Sequence, residues 1–132
     1  MESRYCDNEK ILNRLFDWYD VHGKLLVAFD FDETVYDYDR KGDTFKRVHE
    51  VLKECKRRKF PLILFTCRNT ESMEIDFAKD YCKVNGFMPD YINFSPANPT
   101  SQKPLYNILL DDRAGLGQAL ECMEKFLELT KQ

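Results

Sequence analysis

In this 132-residue chain, polar residues able to do chemistry sit directly after short apolar runs. Asp30 and Asp32, with Thr34 beyond them, follow Leu25 to Phe29. Thr66 and Arg68 follow Leu62 to Phe65; Asp111 and Asp112 follow Ile108 to Leu110, with Lys103 a few residues upstream. Four carboxylates in one cleft cannot all stay ionised unaided, because like charges at close range raise one another's pKa. Lys103 is expected to offset one of them and a divalent cation two more. An all-oxygen donor set selects a hard ion such as Mg²⁺ over zinc or copper. Magnesium, a lysine and a hydroxyl around a reactive carboxylate are the parts that phosphoryl transfer requires.

For these residues to meet, the apolar runs must be neighbouring strands. Leu25 to Phe29 and Leu62 to Phe65 lack inside/outside alternation, the mark of strands covered on both faces; Tyr91 to Phe94 is a weaker strand. Helical spacing separates them. Ile11 to Tyr19 predicts a first helix capped by Asp7 or Asn8 and stopped at Gly23. Val48, Val51, Leu52 and Cys55 predict a second, starting at Asp43 or Thr44. Ile75, Ala78 and Cys82 predict a third, ended by Asn85 and Gly86, and Leu116 to Leu127 a last one. Alternating strands and helices imply a three-layer α/β/α, doubly wound, Rossmann-like parallel sheet. In such sheets ligands bind at the carboxyl ends of the strands, where all the polar groups named above fall.

Composition sets the boundaries. A chain of this length supports one domain, residues 1–132, with a helix over 1–23 and a core over 24–132. A net charge of −3 argues against a broad nucleic-acid or anionic-membrane surface. No apolar run reaches the roughly 20 residues of a bilayer crossing, and the N-terminus does not read as a signal peptide. Five scattered cysteines without a Cys-x-x-Cys pair fit a reducing cytoplasm. Cys67 is expected to be a buried or half-buried thiol, His22 and His49 surface residues, and Lys56 to Lys59 a solvated helix end. Arg68 is expected either to touch a substrate phosphate or leaving group or to lie on the surface.

At these residues the chain resembles the haloacid dehalogenase-like (HAD) superfamily of aspartyl-phosphate hydrolases. Asp30-Phe31-Asp32-Glu33-Thr34 is similar to its first motif, Asp-x-Asp-x-Thr; Thr66, Lys103 and Asp111-Asp112 resemble the second, third and fourth. The resemblance implies Asp30 as nucleophile and Asp32 as general acid and base. It implies Mg²⁺ on the carboxylates of Asp30 and Asp112, the main-chain carbonyl of Asp32 and, directly or through water, Asp111. Thr66 and Lys103 would hold phosphoryl oxygens, Lys103 also neutralising charge in the transition state. Asp32 favours a phosphatase over a dehalogenase, since a halide leaves without a proton. The short stretches after Thr34 and before Lys103 leave no room for a cap domain, so a bulky phosphorylated substrate, small molecule or nucleic-acid end, can reach Asp30. The aspartate tetrad also resembles the phosphatase half of phage-type polynucleotide kinase-phosphatases, which act on 3′-phosphates. Of the readings of another class, a receiver-like protein fits the residue order badly, and against a catalytically silent phospho-ligand binder stands the retained Asp32. Glutamate at position 33, where many members have glycine, leaves the main chain there less free.

Overall fold

The computed structural model describes residues 7–69, 71–100 and 102–131. Helix α1 (Asn8–His22) begins at Asp7, whose carboxylate accepts the Glu9 N–H, and ends at Gly23 in the left-handed conformation. Strand β1 (Val27–Asp30) and α2 (Lys46–Arg57) come next, followed by β2 (Leu62–Phe65) and α3 (Met73–Val84). Two short strands, β3 (Tyr91–Ile92) and β4 (Ile108–Leu110), precede α4 (Leu116–Leu129). Two boundaries differ from the sequence reading. Neither Asp43 nor Thr44 caps α2: Phe45 occupies the cap position with φ +50° and makes no side-chain cap bond. The third strand stops at Ile92 because Asn93 turns left-handed, φ +53°, and leaves the sheet.

All strand pairs are parallel, in the order β3-β2-β1-β4. The chain winds outward from β1 through β2 to β3, then crosses back to place β4 on the other side of β1. Helices flank the four-stranded sheet in a Rossmann-like three-layer arrangement. Its faces are covered unequally. Val27, Phe29, Leu62, Leu64, Ile108 and Leu110 point into a large core to which α1, α2, α3 and α4 all contribute. Leu26, Ala28 and Ile63 form a smaller cluster on the other face, packed by Trp18, Phe65, Tyr91, Tyr106 and Leu109.

No described helix is long and apolar enough to cross a membrane. Cys55, Cys82 and Cys122 are buried and free; burial pushes the Cys55 and Cys82 thiols up to about 12, which leaves them inert. Cys6 lies outside the described residues.

The expected solvated end of α2 needs correction at Arg58. Its side chain is only 8% exposed, with Nε on Glu54 Oε2 at 2.6 Å. Nη2 donates to the Leu127 carbonyl and Nη1 to Thr130 Oγ1, both at 2.9 Å. Arg58 thus satisfies the end of α4, where helix carbonyls lack intrahelical partners. Lys56 is paired with Asp90 and Arg57 with Glu54, so much of the run's charge is neutralised locally. Arg58→Ala is expected to lower unfolding free energy by about 1–3 kcal/mol, with Arg58→Lys recovering little because an ammonium lacks the planar fork. Urea titration of the three proteins checks this.

Candidate functional site

Register decides which aspartates meet. Phe29 pairs with Leu110 across β1 and β4, so Asp30 and Asp111 are the next residues along adjacent strands. Adjacent strands lie about 4.8 Å apart, and Phe29 and Leu110 both enter the large core, so alternation turns Asp30 and Asp111 to the opposite face. Asp112 joins them: ligand oxygens of Asp30, Asp111 and Asp112 all lie within 4.8 Å of one another. The site sits between β1 and β4, where the winding reverses and the strand ends diverge.

Thr34, whose role composition and spacing left open, locks this arrangement. It is fully buried. Its hydroxyl donates to Asp112 Oδ1 at 3.2 Å and accepts the Asp112 N–H at 3.1 Å, tying the loop after β1 to the loop after β4. Asp111 Oδ1 accepts the Arg113 N–H at 2.9 Å, which fixes the second carboxylate. Asp30 is half-buried, and its carboxyl is raised from 3.8 to about 6. Burial is the largest cause, followed by the charge of Asp111; Asp112 and Asp32 add to it, and a hydrogen bond from the Phe31 backbone opposes it. The donor set is all oxygen and brings like charges together, which fits a hard divalent cation.

Asp32 does not join the triad with its side chain. Its carboxylate takes a forked ion pair from Arg68, Nη2 to Oδ1 at 2.8 Å and Nε to Oδ2 at 3.2 Å. Arg68 thus supplies Asp32 with a compensating positive charge, and its own pKa is raised further by that bond. The guanidinium lies 5.0 Å from the Phe31 ring, 5.8 Å from Tyr36 and 5.6 Å from Phe77.

Thr66 follows β2 directly, and its hydroxyl accepts the Arg68 N–H at 3.1 Å. The Asn93 side chain clamps its backbone on both sides, accepting the Thr66 N–H at 3.0 Å and donating to the Thr66 carbonyl at 3.1 Å. Asn93 was invisible as a site residue, although asparagine just past an apolar pair is a residue type that tolerates φ above zero. Lys103 lies exposed on the loop between β3 and β4, where its carbonyl accepts from Asn98 Nδ2 at 2.8 Å.

Two neighbours differ from expectation. Cys67, in the loop directly after β2, is exposed. His49 is half-buried, not a surface residue: its Nε2 lies 2.8 Å from the Val35 carbonyl and its ring packs on Phe87. His22 is exposed as expected.

The short flap after Tyr36 folds on itself. Asp37 accepts the N–H groups of Lys41 and Gly42, and Glu33, at φ +62°, accepts that of Asp39 at 2.7 Å. Glu33, Asp37 and Asp43 form a second acidic group, and the backbone bonds of the first two account for their placement.

No protein-family model matches the chain, and no curated protein matches it. Among solved structures it is similar to a conserved protein from Bacteroides thetaiotaomicron, with 26% identity, a TM-score of 0.60, and coverage of 83% of this chain and 99% of that one. The likeness supports the parallel α/β fold and assigns no activity.

The raised Asp30 pKa has a consequence for stability. The fold favours the neutral carboxyl, so this group's contribution is fully present below about pH 4 and is lost as pH rises through about 6. In EDTA, Asp30→Asn should flatten the fall in stability over that window. At pH 7 it should exceed the parent by about 1–2 kcal/mol, a value discounted for the solvent that screens a half-exposed group. Urea unfolding at pH 4, 5, 6 and 7 measures this; identical slopes for the two proteins would show that Asp30 carries no such burden.

Proposed function

We propose that this chain is a Mg²⁺-dependent phosphomonoesterase of the haloacid dehalogenase-like type, working through an aspartyl-phosphate on Asp30. One observation carries the reading: the Asp30, Asp111 and Asp112 oxygens converge within 4.8 Å at the switch point of a parallel sheet. Asp32 stands two residues beyond Asp30. Bound there, Mg²⁺ would supply charge neutralisation to carboxylates and phosphoryl oxygens that otherwise repel.

The chain's own residues account for the remaining chemistry. An Asp30 oxygen attacks phosphorus, the ester P–O bond breaks, and Asp32 gives its proton to the leaving oxygen, releasing an alcohol. Water then attacks the aspartyl-phosphate, Asp32 takes the water proton, and phosphate leaves with Asp30 restored. Thr66 and Lys103 hold phosphoryl oxygens in this scheme. Asp32 begins paired with Arg68, so acid catalysis requires its carboxyl to part from the guanidinium and take up a proton. Asp112 is exposed and the segments before α2 and β4 are short, which supports an open cleft and phosphorylated substrates of varied size.

The Arg68–Asp32 pair also favours a second reading. A carboxylate whose two oxygens are engaged by arginine is not placed to take a proton from water, so phosphate would persist on Asp30 as in a receiver. Phosphate release with Mg²⁺ from p-nitrophenyl phosphate and a panel of nucleotides, sugar phosphates and phosphopeptides separates the two. Catalysis predicts steady turnover that EDTA stops and that Asp30→Asn reduces about a thousandfold or more. Turnover by Asp30→Asn at the parent rate would overturn the nucleophile assignment, and stable labelling by acetyl phosphate without turnover would favour the receiver.

A further inference from the structure

The hydrolytic scheme leaves unexplained the row of aromatic side chains beside Asp32. Phe31, fully buried, stacks on Tyr36 with ring centres 5.2 Å apart and planes 16° from parallel. Phe77 meets Phe31 edge-on at 6.2 Å and Tyr36 at 5.1 Å, and Tyr81 closes the group at 5.6 Å from Phe31. The Arg68 guanidinium lies against three of these rings, its side chain 18% exposed, while its other edge holds Asp32. The array is continuous from the carboxylate outward. Its far end is open: Phe77 is 43% exposed, and Met73, one helical turn earlier on α3, is 84% exposed.

Core packing does not call for those two residues, since Ile75, Ala78 and Cys82 already bury α3. Among the described residues, several polar groups beside the rings are already engaged. Arg68 Nε and Nη2 are taken by Asp32, and the Tyr81 hydroxyl and the His49 ring both turn to the Val35 carbonyl. An exposed ring continuous with a guanidinium plane offers instead a flat, weakly hydrated surface, the kind on which bases and aryl rings stack. Asp32, in the proposed chemistry, faces the leaving oxygen, so this surface lies where the leaving group must sit.

We propose that Arg68 and Phe77 form a stacking subsite that selects phosphomonoesters with a planar aromatic leaving moiety. The assignment rests on the phosphomonoesterase reading for the position of the leaving group. Aryl phosphates and nucleoside monophosphates share this chemistry. In the first the ring adjoins the ester oxygen and meets Arg68; in the second a sugar intervenes and the base reaches toward Phe77.

The test compares phenyl phosphate, adenosine 5′-monophosphate and glycerol 2-phosphate on the full chain with Mg²⁺. The aromatic esters should show KM about tenfold below that of glycerol 2-phosphate. Phe77→Ala should lower the selectivity ratio, in kcat/KM, of the preferred aromatic ester over glycerol 2-phosphate about tenfold, chiefly through KM. Phe77→Trp should restore it, and Phe77→Leu, which keeps apolar bulk without a π face, should not. Which aromatic ester responds more to these changes tells the two sources apart. Equal KM for all three esters, or a ratio that Phe77→Ala leaves in place, overturns the subsite. Calorimetric binding of the same esters to Asp30→Asn, with and without Phe77→Ala, separates the two readings. Aromatic preference there without turnover in the parent protein retains the subsite and sinks the hydrolase; turnover without aromatic preference does the reverse.

Discussion

Like-charge repulsion at one end of a parallel sheet is the constraint around which this molecule is built. Pairing Phe29 with Leu110 sets Asp30 beside Asp111, and the next residue adds Asp112. Burial then raises the Asp30 carboxyl to about 6, well above the usual carboxylate range. Such a cluster persists in a folded chain only where the surrounding structure over-determines it. Here the buried Thr34 hydroxyl does much of that, bonding both the side chain and the backbone of Asp112. The same geometry that costs stability without a cation prepares three oxygens for one.

A second charge problem is solved separately. Asp32, close in sequence to the triad, adds its negative charge to the repulsion on Asp30, and Arg68 holds it in a forked pair. That arginine is placed by a chain of local bonds. Asn93 holds the Thr66 backbone, and the Thr66 hydroxyl holds the Arg68 N–H. Glu74, in the first turn of α3, accepts the Asn69 N–H and fixes the end of the same loop. Strands β2 and β3 therefore reach the site through hydrogen bonds, while α3 reaches it through the rings of Phe77 and Tyr81.

The connection between β1 and α2 shows a trade within the backbone. Glu33 adopts φ +62°, a conformation glycine takes without cost, and in exchange its carboxylate holds the flap through Asp39. His49 and Tyr81 anchor the same connection at the Val35 carbonyl. The flap is thus fastened to α2 and α3 and covers little of the triad, in keeping with the exposed Asp112.

Much of this was legible in the residues alone. Unbroken apolar runs such as Leu62 to Phe65, alternating with helical spacing such as Val48 to Cys55, point to a parallel α/β sheet, because strands covered on both faces need helices packed against them. Polar residues ending those runs marked the rim, since local order along the chain survives folding. What pairs with what was decided by tertiary structure. Register across β1 and β4 selected Asp30, Asp111 and Asp112 as one group and left Asp32 to Arg68, a choice set by distances between segments far apart in the chain. Asn93 clamping Thr66, Arg58 capping α4 and Thr34 joining two loops are likewise long-range hydrogen bonds. Composition and periodicity report which residues seek burial or solvent, but the direction of a donor toward its acceptor exists only once the strands are side by side.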